Sequence, residues 1–335
     1  MSHKHDNTRK QKRMQRLIIL VAVLLVLAGG ALLASRLTDQ ADTQESQSAS
    51  RHVLETEIDG IRCQAKTRIK TYLIMGIDAT GKAHSEEEDA DASGQCDTLH
   101  LYVIDQIADT NTLLPINRNT ITAVNSLDDN GEVVATTDVQ IALAHANGDG
   151  YETSCENTVE AVSNLLYGIK IDGYMALNID SILIMNDLVG GVEVTIEDDF
   201  SQEDPTLVMG ETIKLQGEQA EHFVRGRMNV ADGTNENRMK RQAQFLEALF
   251  PTFISKCEGN EEFAIEVFNT MSDYMVTDMS GKDFSKMVKA IIKNEELESP
   301  EITGSIGIDR WEFATFEPDQ DSIRDAVIQL YYERL

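Results

Sequence analysis

The first 34 residues place the strongest constraint on what this chain can fold into. Residues 17–34 are an uncharged stretch of 18 residues, which as a helix would measure about 27 Å, close to the thickness of a bilayer core. Residues 1–16 carry six Lys/Arg against one Asp. The positive-inside rule therefore predicts a basic cytoplasmic tail (1–16), a single-pass transmembrane anchor (17–34) and an extracytoplasmic body held at the cell membrane.

Residues 28–31 are small, so a signal peptide cleaved near them is the alternative to an anchor. The apolar run is long for a signal peptide, which favours the uncleaved helix. Residues 35–52 are polar and rich in Gln and Ser, and they predict a flexible stalk. The folded domain is predicted to span residues 53–335.

Composition excludes several classes of function. The formal net charge is −28 although the N-terminal tail is basic, so the body repels nucleic acid. The cysteines form no CxxC or Cys/His metal spacing, which argues against a zinc site. Buried free thiols are favoured for them, and disulfides, which export permits, are the alternative; the four positions are Cys63, Cys96, Cys155 and Cys257.

Hydrophobic patterning predicts strands interleaved with helices, hence an α/β fold: an αβα sandwich with a central mixed sheet. The predicted strands are 70–77, 99–104, 112–116, 174–179, 192–196 and 302–308. A capping box at 153–156 predicts the start of a helix that ends at Gly168. Further helices are predicted at 180–189, 217–224, 236–256, 263–274, 284–292 and 321–332.

Arginines are scarce and clustered. Residues 69–309 contain ten lysines but only five arginines: Arg118, Arg225, Arg227, Arg238 and Arg241. Four of the five lie within 17 residues, around a loop at 229–237 that joins two predicted helices. Planar guanidinium groups match phosphate oxygens in pairs, as lysine cannot, so the cluster predicts a phosphate site. Solvated arginines paired with nearby acids are the alternative.

Two aspartates flank predicted strands near one another in sequence. Asp78 ends the first strand and Asp97 precedes the second. Ligands of open α/β sheets bind at strand ends, and two carboxylates with substrate phosphate oxygens suit Mg²⁺. An aspartate beside a strand is more often a turn former, which is the alternative for each residue alone.

The motifs around these residues resemble the LytR-CpsA-Psr family over residues 72–250. They are YLIMGID (72–78), CDTLHLYVID (96–105), PINRNT (115–120), IALAHANGDG (141–150), NDLVGGVEVTIEDDF (186–200), LQGEQAEHFVRGR (215–227) and NRMKRQ (237–242). The resemblance implies an apolar pocket for a polyprenyl chain, with arginines and Mg²⁺ holding a pyrophosphate at its mouth. It implies Mg²⁺-side carboxylates at Asp78 and Asp97, a functional acid at Asp232, and pyrophosphate contacts from Arg118, Arg225, Arg227, Arg238, Gln242 and, with a lesser role, Arg241.

The sequence also departs from the family pattern. Gln95-Cys96 stands where members often carry Arg-Ser, and Thr122 stands where some carry another arginine. Asn119 and Asn235 replace common aspartates, which leaves the general base open between Asp97 and Asp232.

The resemblance implies an enzyme of the phosphotransferase type, a cell-wall glycopolymer ligase. It would move a glycopolymer from a polyprenyl-pyrophosphate carrier to a peptidoglycan acceptor, with pyrophosphate hydrolysis as a side reaction and Arg118, Asp97 and Asp232 as catalytic residues. The alternative is a non-catalytic envelope regulator that binds the same lipid. Other residues are expected to serve the fold: His100, His145 and His222 are isolated, and Trp311, Phe313 and Phe316 are expected to pack in the C-terminal tail rather than form a sugar platform.

Overall fold

Two core clusters and the sheet between them organise the domain in the computed structural model, which describes residues 55–79, 81–83, 94–128, 130–178, 180–233 and 235–335. The helices in these residues are α1 (Leu143–Ala146), α2 (Glu152–Leu165), α3 (Ser181–Val189), α4 (Glu218–Arg225), α5 (Asn235–Cys257), α6 (Glu261–Thr270), α7 (Gly281–Lys293) and α8 (Gln320–Tyr331), with a 3₁₀ turn at Ser272–Tyr274.

The strands follow the same chain order. They are β1 (Glu55–Ile58), β2 (Ile61–Ala65), β3 (Ile69–Ile77), β4 (Cys96–Asp105), β5 (Thr110–Ile116), β6 (Ile121–Leu127), β7 (Val133–Gln140), β8 (Gly173–Leu177), β9 (Val192–Thr195), β10 (Thr212–Leu215), β11 (Met275–Thr277), β12 (Glu295–Glu296), β13 (Gly304–Ile308), β14 (Ala314–Pro318) and β15 (Tyr332–Arg334).

The central sheet has the order β11–β8–β3–β4–β5–β12. β8 is parallel to β3 and β12 to β5, whereas the other neighbours are antiparallel. The carboxyl ends of β3, β5 and β8 and the start of β4 therefore lie together. We call this the polar end of the sheet, and the other the opposite end.

Helices cover both faces of the sheet. Alternate residues of β3 and β4 enter different cores, since Ile74 and Tyr102 pack with α3–α7 while Leu73 and Leu101 pack with α1, α2 and α8. This confirms the predicted αβα sandwich with a mixed sheet. No helix within the described ranges is long and apolar enough to cross a membrane, and the predicted anchor at 17–34 lies outside those ranges.

Most predicted elements form, with shifted bounds, but the predicted capping box does not cap α2. The helix begins at Glu152, so Thr153 lies inside its first turn and cannot be the N-cap. The amides of Tyr151, the N-cap, and of Ser154 donate instead to the Asp149 carboxylate, at 2.8 and 3.2 Å.

The C-terminal aromatic residues correct another expectation. Phe316 is buried, but Trp311 and Phe313 are exposed at the turn between β13 and β14. The prediction that they pack in the tail is therefore wrong for both. All four cysteines are free and buried, as the favoured interpretation predicted.

Candidate functional site

Each of four neighbouring strands places one charged side chain at the polar end. Asp78 directly follows β3, Asp97 is the second residue of β4, Arg118 lies two residues after β5 and Asp180 lies three residues after β8. Because the strands are ordered β8–β3–β4–β5, these side chains follow one another along the end of the sheet. The strand-end argument from sequence therefore holds for Asp78 and Asp97.

A β-bulge separates Asp97 from the regular ladder. Ile77 pairs with Cys96 and Gly76 pairs with Thr98, so Asp97 has no partner on β3. The extra residue keeps Cys96 in the same core as Leu99, three positions away, which a regular alternation would not allow. The bulge leaves the Asp97 side chain directed out of the sheet.

Glycine is required where the chain returns to β4. A Cβ on Gly94 would lie 2.9 Å from the backbone oxygen of Asp78. The close approach lets the Asp78 amide donate to the Gln95 carbonyl at 2.9 Å. Gly94 thus holds the two acidic strand ends side by side.

Arg118 joins Asp97 to a residue that departs from the family pattern. Its Nη1 donates to Asp97 Oδ1, and its Nη2 donates to Gln95 Oε1 at 2.6 Å. Gln95, which stands where relatives often carry an arginine, is therefore a neutral acceptor that orients Arg118.

The electrostatics of Asp97 bring four predicted site residues together. Burial raises the pKa of Asp97 above its ordinary value, Arg118 and Arg238 oppose the rise, and the like charge of Asp78 adds to it. Each of these groups lies near enough to influence the carboxyl. The polar end therefore contains two acids and two arginines from four separate segments.

Arg225 lies in the last turn of α4 and is linked to the site by Asp180, an acid that the sequence analysis did not select. It donates to the Asp180 carboxylate and, at 3.2 Å, to Glu221 one turn earlier. Asp180 also accepts from the Gly81 amide at 2.5 Å, close to Asp78 in the chain. The sequence did carry a signal, because Asp180 follows a buried strand as Asp78 does. Burial lowers the pKa of Arg225.

Arg227 and Asp232 belong to the loop between α4 and α5. The Nε of Arg227 donates weakly to the Gly233 carbonyl at 3.4 Å, and the side chain is exposed. Asp232 is also exposed and accepts from the Asn237 amide at 2.8 Å. These contacts tie both ends of the loop together but do not join Asp232 to Asp97.

Arg238 and Arg241 lie on the first turns of α5 and differ in their hydrogen bonds. The Nε of Arg238 is buried and has no hydrogen-bond partner within the described part of the chain, although its charge acts on Asp97. Arg241 donates to the Phe223 carbonyl at 3.1 Å, to Asp198 at 2.6 Å and to the Gly226 carbonyl, and it stacks on Phe200.

Arg241 is therefore a positioning residue, and the expectation of a pyrophosphate contact from it does not fit its contacts. Gln242 acts similarly by donating to the Val224 carbonyl at 3.3 Å. Together they hold the end of α4, and with it Arg225 and Arg227, against the start of α5.

The remaining polar candidates serve the fold, as expected. His222 pairs with Asp204 at 2.9 Å, His145 bonds the Gly94 carbonyl at 3.0 Å, and burial lowers the pKa of His100 to about 4. Cys155 lies 3.9 Å from the His145 ring, but burial raises its pKa well above the ordinary value. A buried thiol that resists ionisation is not a nucleophile.

Within the described residues there is no group of three or more His, Cys, Asp or Glu side chains suited to holding a metal. Asp78 and Asp97 nevertheless form a pair of interacting carboxylates open to solvent. Such a pair fits Mg²⁺ only when phosphate oxygens and water complete its coordination.

Comparison with known proteins identifies the family of the chain. A family model described as the LytR_cpsA_psr family matches residues 32–330. The polyisoprenyl-teichoic acid–peptidoglycan teichoic acid transferase TagU of Enterococcus faecalis is 27% identical over 218 residues, covering 65% of this chain and 64% of that relative. Biofilm regulatory protein A of Streptococcus mutans is 26% identical over 192 residues, covering 55% and 44%.

The match thus spans just under two thirds of the first relative's length. Among solved structures, B. subtilis TagV shares the fold with a TM-score of 0.52 at 23% identity, covering 79% of this chain and 96% of that one.

Proposed function

Because the chain belongs to the LytR-CpsA-Psr family, we propose that it transfers a glycopolymer from a polyprenyl-pyrophosphate carrier to a peptidoglycan acceptor. The observation that carries the proposal is Arg238, whose Nε is buried without a partner among the described residues and whose charge acts on Asp97. An unsatisfied buried donor costs free energy unless a ligand uses it. A pyrophosphate oxygen at the polar end would satisfy it.

The other arginines support a phosphate ligand of more than one charge. Arg118 and Arg225 are each held by carboxylates, which fix the direction of their guanidinium groups. Arg227 remains exposed beside them at the end of α4. These groups suit the oxygens of two adjacent phosphates better than those of one.

The proposed reaction is phosphoryl transfer. An acceptor hydroxyl oxygen bonds to the sugar-side phosphorus, the bond from that phosphorus to the bridging oxygen breaks, and polyprenyl phosphate leaves with the bonding electrons. The hydroxyl proton passes to a carboxylate, and Asp97 and Asp232 are the two candidates. The arginines stabilise the charge on the phosphate oxygens, which is the main requirement of such a transition state. Water in place of the acceptor would give hydrolysis.

Mg²⁺ is part of the proposal. Asp78 and Asp97 would hold it, and it would neutralise charge on the phosphates. Burial is the main cause of the raised pKa of Asp97 and the like charge of Asp78 adds to it, so the two carboxylates lie close enough to interact, as two ligands of one ion would.

A non-catalytic lipid receptor is the second candidate, and one relative is named a regulatory protein. The amides at Asn119 and Asn235 favour it, because an amide cannot accept a proton at neutral pH. A receptor would keep the arginines and lose turnover.

One assay separates the two. The full chain in detergent is incubated with a polyprenyl-pyrophosphate-linked saccharide and Mg²⁺, and release of polyprenyl phosphate is measured with and without peptidoglycan. Acceptor-dependent release that stops on chelation supports the transferase. Tight binding of the lipid with no release from several glycopolymers would establish the receptor instead.

We further propose that residues 17–34 anchor the chain in the cell membrane with the domain outside. A reporter fused after Leu335 should be active only in its exported form. A mature protein that begins near residue 35 would overturn the anchor.

A further inference from the structure

Asp180 connects two segments of the candidate site that are far apart in the chain. Its Oδ1 accepts from the Arg225 guanidinium at the end of α4, and its Oδ2 accepts from the Gly81 amide at 2.5 Å. Gly81 lies three positions after Asp78, the acid that follows β3. A single carboxylate therefore joins the arginine side of the site to the acidic side.

Gly81 provides a fixed point for this carboxylate. Its carbonyl accepts from the Asn178 side chain, so the turn after β8 bonds both polar groups of one glycine. The next residue, Lys82, pairs with the Asp273 carboxylate at 2.5 Å. The segment is therefore held from two sides, and it fixes the position of the Asp180 carboxylate.

Arg225 depends on Asp180 for its direction. Its side chain is 29% exposed and that of Asp180 is 19% exposed, so water screens this pair less than it screens a surface ion pair. The other acid, Glu221, belongs to the same helix as Arg225 and lies 3.2 Å from its Nη1. Burial lowers the pKa of Arg225, so the charged guanidinium needs a neighbouring anion. Without Asp180, the described residues would restrain Arg225 only through an acid of its own helix.

We propose that Asp180 is a positioning residue, which holds Arg225 in a fixed place relative to Asp78 so that both sides of the site can meet one pyrophosphate. The inference rests on the proposed function and deepens it. Within the described residues, acids use two of the five N–H groups of Arg225, which leaves three for phosphate oxygens. A guanidinium that is already held in place loses less conformational freedom when the ligand binds.

The negative charge of Asp180 acts in the opposite direction. A carboxylate near an anion site repels the anion, so its removal would by itself strengthen the binding of pyrophosphate. A loss of affinity on removal of Asp180 therefore reports positioning and not charge. The sign of the change separates the two roles.

Asp180→Ala tests the role through the binding of a polyprenyl-pyrophosphate-linked saccharide to the full chain in detergent. We expect affinity to fall about tenfold, because the release of Arg225 costs one charge-assisted contact. Asp180→Asn keeps an acceptor for Gly81 but has no charge for Arg225, so it should lose nearly as much. Unchanged or tighter binding in either variant would overturn the proposal.

An acid of the neighbouring helix α3 provides the matched control. Asp187 accepts from the Gly217 amide at 3.0 Å, and it pairs with no arginine among the described residues. Asp187→Ala therefore removes a carboxylate and a backbone contact, as Asp180→Ala does, but leaves Arg225 in place. It should bind the lipid normally, and a loss equal to that of Asp180→Ala would contradict a specific role for Asp180.

A double variant tests whether Asp180 acts through Arg225. Arg225→Met alone should lower lipid affinity about tenfold to a hundredfold. Asp180→Ala/Arg225→Met should bind no more weakly than Arg225→Met, because the two residues serve one contact. General damage to the fold would instead multiply with the loss of Arg225. Losses that multiply would therefore overturn the proposal.

Hydrogen exchange at the Gly81 amide tests the connection without lipid or turnover. In Asp180→Ala the exchange should be about tenfold faster than in the parent, because the amide loses its acceptor. Equal exchange would overturn the connection. If the parent binds no pyrophosphate lipid while the exchange responds as expected, the proposed function fails and the connection stands. If the parent and both Asp180 variants bind the lipid equally well, the proposed function stands and the positioning role fails.

Discussion

The two ends of the central sheet carry similar charged side chains in different states. At the opposite end, Lys70 and Lys170 donate to Asp172 at 3.0 and 2.5 Å. Burial alone would raise the pKa of Asp172, but these bonds and the Thr71 amide hold it below its ordinary value. At the polar end the pKa of Asp97 is raised, despite Arg118, by burial and by Asp78.

The opposite end also contains a groove of about 510 Å³, where Lys286 and Lys293 lie near Asp283 and Asp109 at 3.0 and 3.8 Å. Its charges neutralise one another within the protein. At the polar end a buried arginine nitrogen lacks a partner among the described residues. The difference is that the opposite end pairs its charges within the protein, whereas the polar end keeps one buried donor that suits a ligand.

The largest effect is expected on the transfer rate of the variant Asp97→Asn, which keeps the shape of the side chain and removes the carboxylate. If Asp97 accepts the proton, transfer should fall by about 10²–10⁴-fold. Polyprenyl phosphate release by the full chain measures it. The matched control is Asp109→Asn at the opposite end, an exposed residue at a positive φ that asparagine also accepts. A fall of less than tenfold in Asp97→Asn would exclude Asp97 as the proton acceptor and leave Asp232 as the remaining candidate.

Arg241→Met tests the distinction between two arginines of one helix. It leaves Asp198 without its cation and two backbone carbonyls without a donor, so the free energy of unfolding should fall by about 3–5 kcal/mol. Denaturation of the full chain in detergent measures it. Lys214→Met, at an exposed position of β10, should change stability by no more than about 0.5 kcal/mol. A stable Arg241→Met variant that loses lipid affinity would return Arg241 to the pyrophosphate site.

Arg238→Met should show the reverse pattern. Its stability should change by no more than about 1 kcal/mol, because the buried Nε has no partner among the described residues and Arg238 influences the charge of Asp97 less than Arg118 does. Affinity for a polyprenyl-pyrophosphate lipid should fall about tenfold to a hundredfold, with poor rescue by Arg238→Lys. Lys286→Met, at the opposite end, should bind normally. Normal binding by Arg238→Met would place the anion elsewhere.

The sequence could predict the strands of the central sheet, because each is a short apolar run, and the arginine cluster, because arginines are rare in this acidic domain. It could not predict the β6–β7 hairpin. Nearly all of β7 is exposed, so no alternation of apolar and polar residues marks it.

The bulge at Asp97 and the ion pair between Arg225 and Asp180, 45 residues apart, depend on tertiary contacts that periodicity does not encode. Arg238 and Arg241 are three residues apart on α5. Three residues along a helix leave a difference of about 60°, which is enough to direct one arginine to the polar end and the other into the core.

The smallest effect on stability is expected from the pair of His222 and Asp204, which holds α4 against the segment between β9 and β10. Burial alone would lower the pKa of His222, but its hydrogen bond to Asp204 is the largest influence and raises it. The folded state therefore favours protonated His222, and the stabilisation is fully present below the unfolded-state pKa of about 6.5 and is lost as pH rises through the raised value. Since the ring is partly exposed, His222→Gln should lower stability by at most about 1 kcal/mol at about pH 6 and by less at about pH 9. Thermal unfolding at both pH values measures the difference in stability between the parent and His222→Gln, and Asp204→Asn should lower stability with the same pH dependence. An equal difference at both pH values would mean that His222 stabilises α4 by packing rather than by charge.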